Sequence, residues 1–94
     1  MSKPQEQVLL EEDVLTLEDT QLENKLIIHN DEVNTFDWVI ETLVEVCKHN
    51  YEQAEQCSLI IHNRGKYAVK HGKFEHLRPM KDAICDRGIG ATIE

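Results

Sequence analysis

Beyond residue 24 the apolar positions switch between clustered, helical and alternating spacing, and each switch marks a predicted element. Residues 25–29 hold three consecutive apolar side chains, Leu26, Ile27 and Ile28, which suit a strand covered on at least one face. Phe36, Val39, Ile40, Leu43, Val44 and Cys47 then recur with a period near 3.6, predicting an amphipathic helix over about residues 35–49. Asn34 and Asp37 stand three apart before it as an approximate capping box. Asn50 is suited to cap a second helix, in which Tyr51, Ala54, Ser58 and Ile61 keep helical spacing until Gly65 offers a left-handed stop. So short a connection predicts a helical hairpin.

Residues 66–71 have strand composition between Gly65 and Gly72. A third helix is predicted over about residues 74–87, with Phe74, Leu77, Lys81 and Ile84 along one edge and Gly88 as its stop. Pro79 should start that helix late or kink it, because proline lacks the N–H and crowds the preceding turn. Ile89, Ala91 and Ile93 alternate and predict a last strand. The order is β-α-α-β-α-β. The expected class is α+β: a sandwich of one three-stranded, largely antiparallel sheet with three helices on one face.

Composition sharpens this picture at the N-terminal end. Six of the eight net negative charges fall in residues 1–23, which have no aromatic residue and no glycine. The apolar residues there (Val8, Leu9, Leu10, Val14, Leu15, Leu17) form two clusters that sustain no single helical stripe. Such a segment buries too little surface to offset its ordering entropy, so residues 1–23 are expected to be a mobile acidic extension and residues 24–94 the domain. It is either a solvating leader or a segment engaged by a partner. The charge of −8 disfavours nucleic acid and anionic membranes. No apolar run approaches a membrane span and the first residues lack the form of a signal peptide, so a cytoplasmic protein is expected. Three cysteines without Cys-x-x-Cys spacing read as reduced, mostly packed thiols.

The candidate chemistry sits where the first strand gives way to the first helix. Asn30 and Asp31 place an amide and a carboxylate in that loop, and His62 lies one helical turn after Ser58 near the end of the second helix. A protonated α-amino group, with a pKa of about 7.7–8.0, needs acceptors and preferably a negative charge. Asn30, Asp31 and neutral His62 supply three acceptors. An apolar hole lined by Phe36, Val39, Ser58 and Ile89 would take the side chain beside that amine. Taken singly, Asn30-Asp31 also reads as an Asx turn, His62 as a helix-end residue, and Phe36 and Val39 as core. Five histidines and three cysteines raise a metal site as an alternative, but none has His-x-x-x-His or Cys-x-x-Cys spacing. With no nucleophile elbow and no glycine-rich phosphate loop, neither an enzyme nor a cofactor is expected.

At these residues the chain resembles the ClpS family, small adaptors that deliver N-end-rule substrates to the Clp ATPase–protease. Residues 30–39, Asn-Asp-Glu-Val-Asn-Thr-Phe-Asp-Trp-Val, look like the family's Asn-Asp-Asp-x-Thr-Pro-Met-x-x-Val, and His62-Asn63-Arg64-Gly65-Lys66 looks like its His-x-x-Gly-Lys. The resemblance covers roughly residues 24–94. It implies the same β-α-α-β-α-β fold, with Asn30, Asp31 and His62 holding a substrate's α-amino group. It carries Val39 and Ile89 over to the pocket for a first residue such as Leu, Phe, Tyr or Trp, which Asn34, Phe36 and Ser58 are expected to line with them. It further implies delivery to a ClpA- or ClpC-type ATPase for degradation by ClpP. The ATPase N-domain would dock on a face that includes His76 and Lys81, where His76 replaces a family acid. The departures are Asn34-Thr35-Phe36 in place of Thr-Pro-Met, and Ser58 where the family often places a pocket-narrowing Met. The alternative is a Clp N-domain-binding modulator that reads no N-degron.

Overall fold

The computed structural model describes residues 23–94, so the extension expected over residues 1–23 lies, but for its last residue, outside the described residues. The elements are β1 (Asn24–His29), α1 (Phe36–Cys47), α2 (Tyr51–Arg64), β2 (Lys66–Gly72), α3 (Phe74–Asp86) and β3 (Gly90–Ile93). This is the predicted order. The sheet order is β2-β1-β3, and β1 pairs antiparallel with both neighbours. The apolar run Leu26–Ile28 therefore belongs to the central strand, where Leu26 and Ile28 point into the core with Val69 and Ala91. From the helices come Ile40, Leu43 and Cys47 of α1, Ala54, Cys57 and Ile61 of α2, and Leu77 and Ile84 of α3.

Local chemistry decides where the elements begin and end. The predicted Asn34–Asp37 box is not the cap of α1: Thr35 is, with its hydroxyl accepting from the Trp38 N–H at 3.0 Å. Asn34 is diverted to other partners, described below. Lys48 closes α1 in the left-handed region, at φ 62°, which ends that helix two residues short of expectation. Asn50 caps α2 through the Gln53 N–H at 2.7 Å, and Gly65 ends it at φ 93°, where a side chain would be strained. Pro79 does not delay α3, which starts at Phe74. Its missing N–H would have bonded the carbonyl of Glu75, which is an exposed residue. Phe74 does not join the edge that packs inward; it is 49% exposed, whereas Leu77 and Ile84 are buried.

A bulge in the β1–β2 ladder adds a feature with no counterpart in the sequence pattern. Leu26 faces Lys70 while Ile27 faces Ala68, so Val69 is the extra residue. Its carbonyl is met instead by the ring of buried His49, whose Nε2–H donates at 3.1 Å. That bond leaves Nδ1 as the acceptor, 3.9 Å from the Cys57 thiol. Burial holds His49 below its ordinary pKa, outweighing the Val69 bond, and the nearby Lys70 charge acts in the same direction as burial. Burial also pushes the Cys57 thiol up, and the Cys47 thiol up to about 11. All three cysteines are free, but Cys85 is exposed rather than packed.

Candidate functional site

The sheet brings the two halves of the proposed constellation together. Because β1 and β2 are paired to His29 and Lys66, the chain just beyond β1 runs alongside the end of α2. The Asn30 N–H donates to the Gly65 carbonyl at 2.8 Å, which fixes the strand-to-helix loop against the turn that follows His62. Asn30, Asp31 and His62 thus share the mouth of one cavity of about 530 Å³. That size falls in the roughly 300–1,000 Å³ range of small-ligand sites.

Asp31 organises the loop as well as charging it. Its Oδ1 accepts from the Val33 and Asn34 N–H groups at 2.9 and 2.8 Å, and its Oδ2 accepts from the Asn34 amide at 2.8 Å. The Asx-turn reading is therefore correct, and it coexists with a place at the cavity. The Asn34 N–H, then the Asn34 side-chain amide, and to a smaller extent the Val33 N–H hold the Asp31 carboxyl below its ordinary value. The carboxylate is charged at any physiological pH. The same Asn34 amide donates to the Gly88 carbonyl at 2.9 Å, so one side chain joins this loop to the turn before β3.

That turn is fastened to α1 at further points. The Trp38 indole N–H donates to the Arg87 carbonyl at 3.1 Å, the Arg87 guanidinium lies 5.3 Å from the Trp38 ring centroid, and it pairs with Glu45. The result places Ile89, 3% exposed, under the site.

Seven of the eight residues expected at the site line the main cavity: Asn30, Asp31, Asn34, Phe36, Val39, Ser58 and His62. Ile89 does not reach it. It borders a small void of about 10 Å³ that shares Asn30, Asp31, Asn34, Val39 and Ile61 with the main cavity, so it forms a wall behind the lining. The sequence reading missed Glu32, Thr35 and Ile61. Ile61 could have been found, since it precedes His62 and already belonged to the apolar repeat of α2. Phe36, at 37% exposure, stands at the cavity rather than in the core, which its periodicity alone had suggested as an alternative. His76 and Lys81 lie apart on α3; the five-residue separation sets them about 140° apart around that helix.

The lining grades from charged and exposed to buried and apolar. Asp31 and Glu32 are its only formally charged members when His62 is neutral, and both are exposed, as is His62. Val39 is half-buried, while Ser58 and Ile61 are each 2% exposed. Such a site suits a ligand with a cationic hydrogen-bond donor at one end and an apolar group at the other.

Comparison with known proteins bears on the family and the fold. Residues 19–90 match the family described as ATP-dependent Clp protease adaptor protein ClpS. A curated relative, the ATP-dependent Clp protease adapter protein ClpS of Campylobacter jejuni strain 81-176, is 44% identical over 54 residues, covering 53% of this chain and 56% of that protein. The chain spans about half the length of the curated relatives it matches first. The E3 ubiquitin-protein ligase UBR1 of Drosophila melanogaster is 34% identical over 66 residues, covering 70% of this chain and 4% of that protein. Among solved structures, Agrobacterium tumefaciens ClpS2 bound to L-phenylalaninamide superposes with a TM-score of 0.74, over 77% of this chain and 94% of that one. At 17% identity that likeness speaks for the fold.

Proposed function

The chain belongs to the ClpS family of Clp protease adaptors, and on that premise we propose that it binds proteins by a free amino terminus bearing a bulky apolar first residue and presents them to a Clp ATPase. The observation that carries the proposal is the convergence of Asn30, Asp31 and His62 at the mouth of a cavity whose depth is lined by Val39 and Ile61. L-phenylalaninamide, present in the ClpS2 structure, has the matching chemistry: an α-amine beside a benzyl side chain. In this reading Asp31 faces the ammonium charge, Asn30 and His62 accept its remaining hydrogens, and the cavity takes Leu, Phe, Tyr or Trp.

Magnitudes favour a ligand with both features. Burying a Leu or Phe side chain contributes about 1.5–3 kcal/mol, and each hydrogen bond to a charged group about 1.5–3 kcal/mol. Micromolar affinity requires about 8 kcal/mol. An apolar side chain alone falls short, so selectivity for a chain terminus follows.

The protein acts as an adaptor in the cytoplasm, without chemistry of its own, and its ATPase partner is of the ClpA or ClpC type. The partner's N-domain docks on the part of the surface to which α3 contributes His76 and Lys81. The reading is tested by fluorescence anisotropy of labelled peptides that differ only in the first residue, each with a free and an acetylated terminus. Micromolar binding of the free bulky peptides, lost on acetylation, is expected. Absence of binding to all of them would leave a Clp N-domain modulator as the better account.

A further inference from the structure

Of the polar side chains of the cavity, Asp31, Asn34 and Thr35 have partners within the protein, and Asn30, Glu32 and His62 are exposed to water. The Thr35 hydroxyl caps α1, and the Asn34 amide bridges Asp31 and Gly88. Ser58 differs. It lines the cavity and is 2% exposed, and its Oγ is the one buried side-chain oxygen or nitrogen without a hydrogen-bond partner among the described residues. A buried hydroxyl left in that state is a standing cost to the folded protein, and binding can relieve it only with a group that hydrogen-bonds.

Its position says where on the ligand that group must be. Ser58 and His62 are four residues apart on α2, so they share a face with about 6 Å between them along the helix axis. His62 is exposed at the mouth and Ser58 is buried, so Ser58 lies deeper. A side chain entering from the mouth would meet His62 near its α-amine and Ser58 near its far end. No partner within the described residues occupies the Ser58 hydroxyl, so its hydrogen-bonding capacity is available to a group offered from the cavity.

Resting on the amino-terminus reading above, we infer that Ser58 selects for a first residue with a hydroxyl at the end of an aromatic ring, so that tyrosine is bound in preference to phenylalanine. A phenol donates and accepts, and so it can pair with the serine in either orientation. Phenylalanine presents only C–H there and seals the hydroxyl unpartnered. Sites built to hydrogen-bond a ligand's hydroxyl reject the analogue that lacks it for this reason.

The test compares peptides that begin with Tyr or Phe and are otherwise identical, each free and acetylated, on the full chain and on Ser58→Ala. The wild-type protein should bind the free Tyr peptide about five- to tenfold more tightly than the free Phe peptide, the worth of one net hydrogen bond. In Ser58→Ala the ratio should fall to about one or below, because the phenol then enters without a partner. Equal affinities in the wild type, or a preference for Tyr that survives in Ser58→Ala, would overturn the inference and leave amine recognition standing. If no free peptide binds the wild type, or if acetylation changes nothing, the amino-terminus reading falls and this inference with it.

Discussion

Asp31→Asn removes the charge at the cavity mouth while keeping an oxygen acceptor in the same place. Two of the three hydrogen bonds to Asp31, from the Val33 and Asn34 N–H groups, need only an acceptor and should survive. The third sets the new amide against the Asn34 amide, which donates to Asp31 now and is also bound to Gly88. One loop bond is therefore lost, at about 0.5–1.5 kcal/mol. For the ligand, a charge-assisted bond becomes a neutral one, which roughly halves a contribution of about 1.5–3 kcal/mol. The loop bond is lost from free and bound protein alike and lowers stability, so the ligand term alone sets the affinity: binding of a free amino-terminal peptide weakens about 3- to 10-fold, with exposure of Asp31 trimming the upper end.

The assay is anisotropy at about 0.15 M salt, where the Debye length is about 8 Å, repeated across pH. The donors on Asp31 hold its folded-state pKa below the unfolded one. Its contribution to stability is therefore present above about pH 4 and lost as pH falls through the lowered value. The Asp31 contribution to affinity should thus be level between about pH 5 and 7, and affinity should decline at higher pH as the peptide amine, with a pKa of about 7.7–8.0, loses its proton. Asp31→Asn should shift the whole curve down and flatten the alkaline limb, since a neutral partner discriminates less between ammonium and amine. Native affinity in Asp31→Asn would remove the carboxylate from the mechanism.

Two other perturbations probe separate parts of the account. His49 is held below its ordinary pKa, so its stabilising effect should be complete above about pH 6.5 and be lost as pH falls from there towards the folded value. The urea midpoint should drop between pH 7 and 5, and the drop should be smaller in His49→Gln; the same drop in both would absolve this histidine. Deleting residues 1–23 should leave peptide affinity within about twofold and impair substrate delivery in a reconstituted Clp degradation assay, and loss of binding would make the leader part of the site.

How far the sequence revealed the molecule depends on the range of the interaction concerned. The helices were legible because Ile40, Leu43 and Cys47 recur on one face, and the second stop because Gly65 is suited to positive φ. The start of α1 was misplaced by one residue for a non-local reason. Asn34 and Thr35 are both able to cap, and Asn34 is withdrawn by Gly88, 54 residues away. The Val69 bulge and its His49 partner are likewise a matter of pairing between segments, which no single-strand pattern encodes. At the candidate site, the residue types suggested the proposed chemistry, and β1–β2 register brings Asn30, Asp31 and His62 to one cavity. Helical periodicity placed Ser58 on the buried face of α2, but the lack of a partner for its hydroxyl depends on every neighbour around it.

The central claim is that this cavity holds a free amino terminus, and the most direct measurement is a titration of the 15N-labelled chain with L-phenylalaninamide and with its N-acetyl counterpart. The account predicts saturable amide shifts confined to residues 30–36 and the stretch around Ser58 and His62 with the free amine, and none with the acetylated compound. Equal shifts with both compounds, or shifts centred on α3, would contradict it.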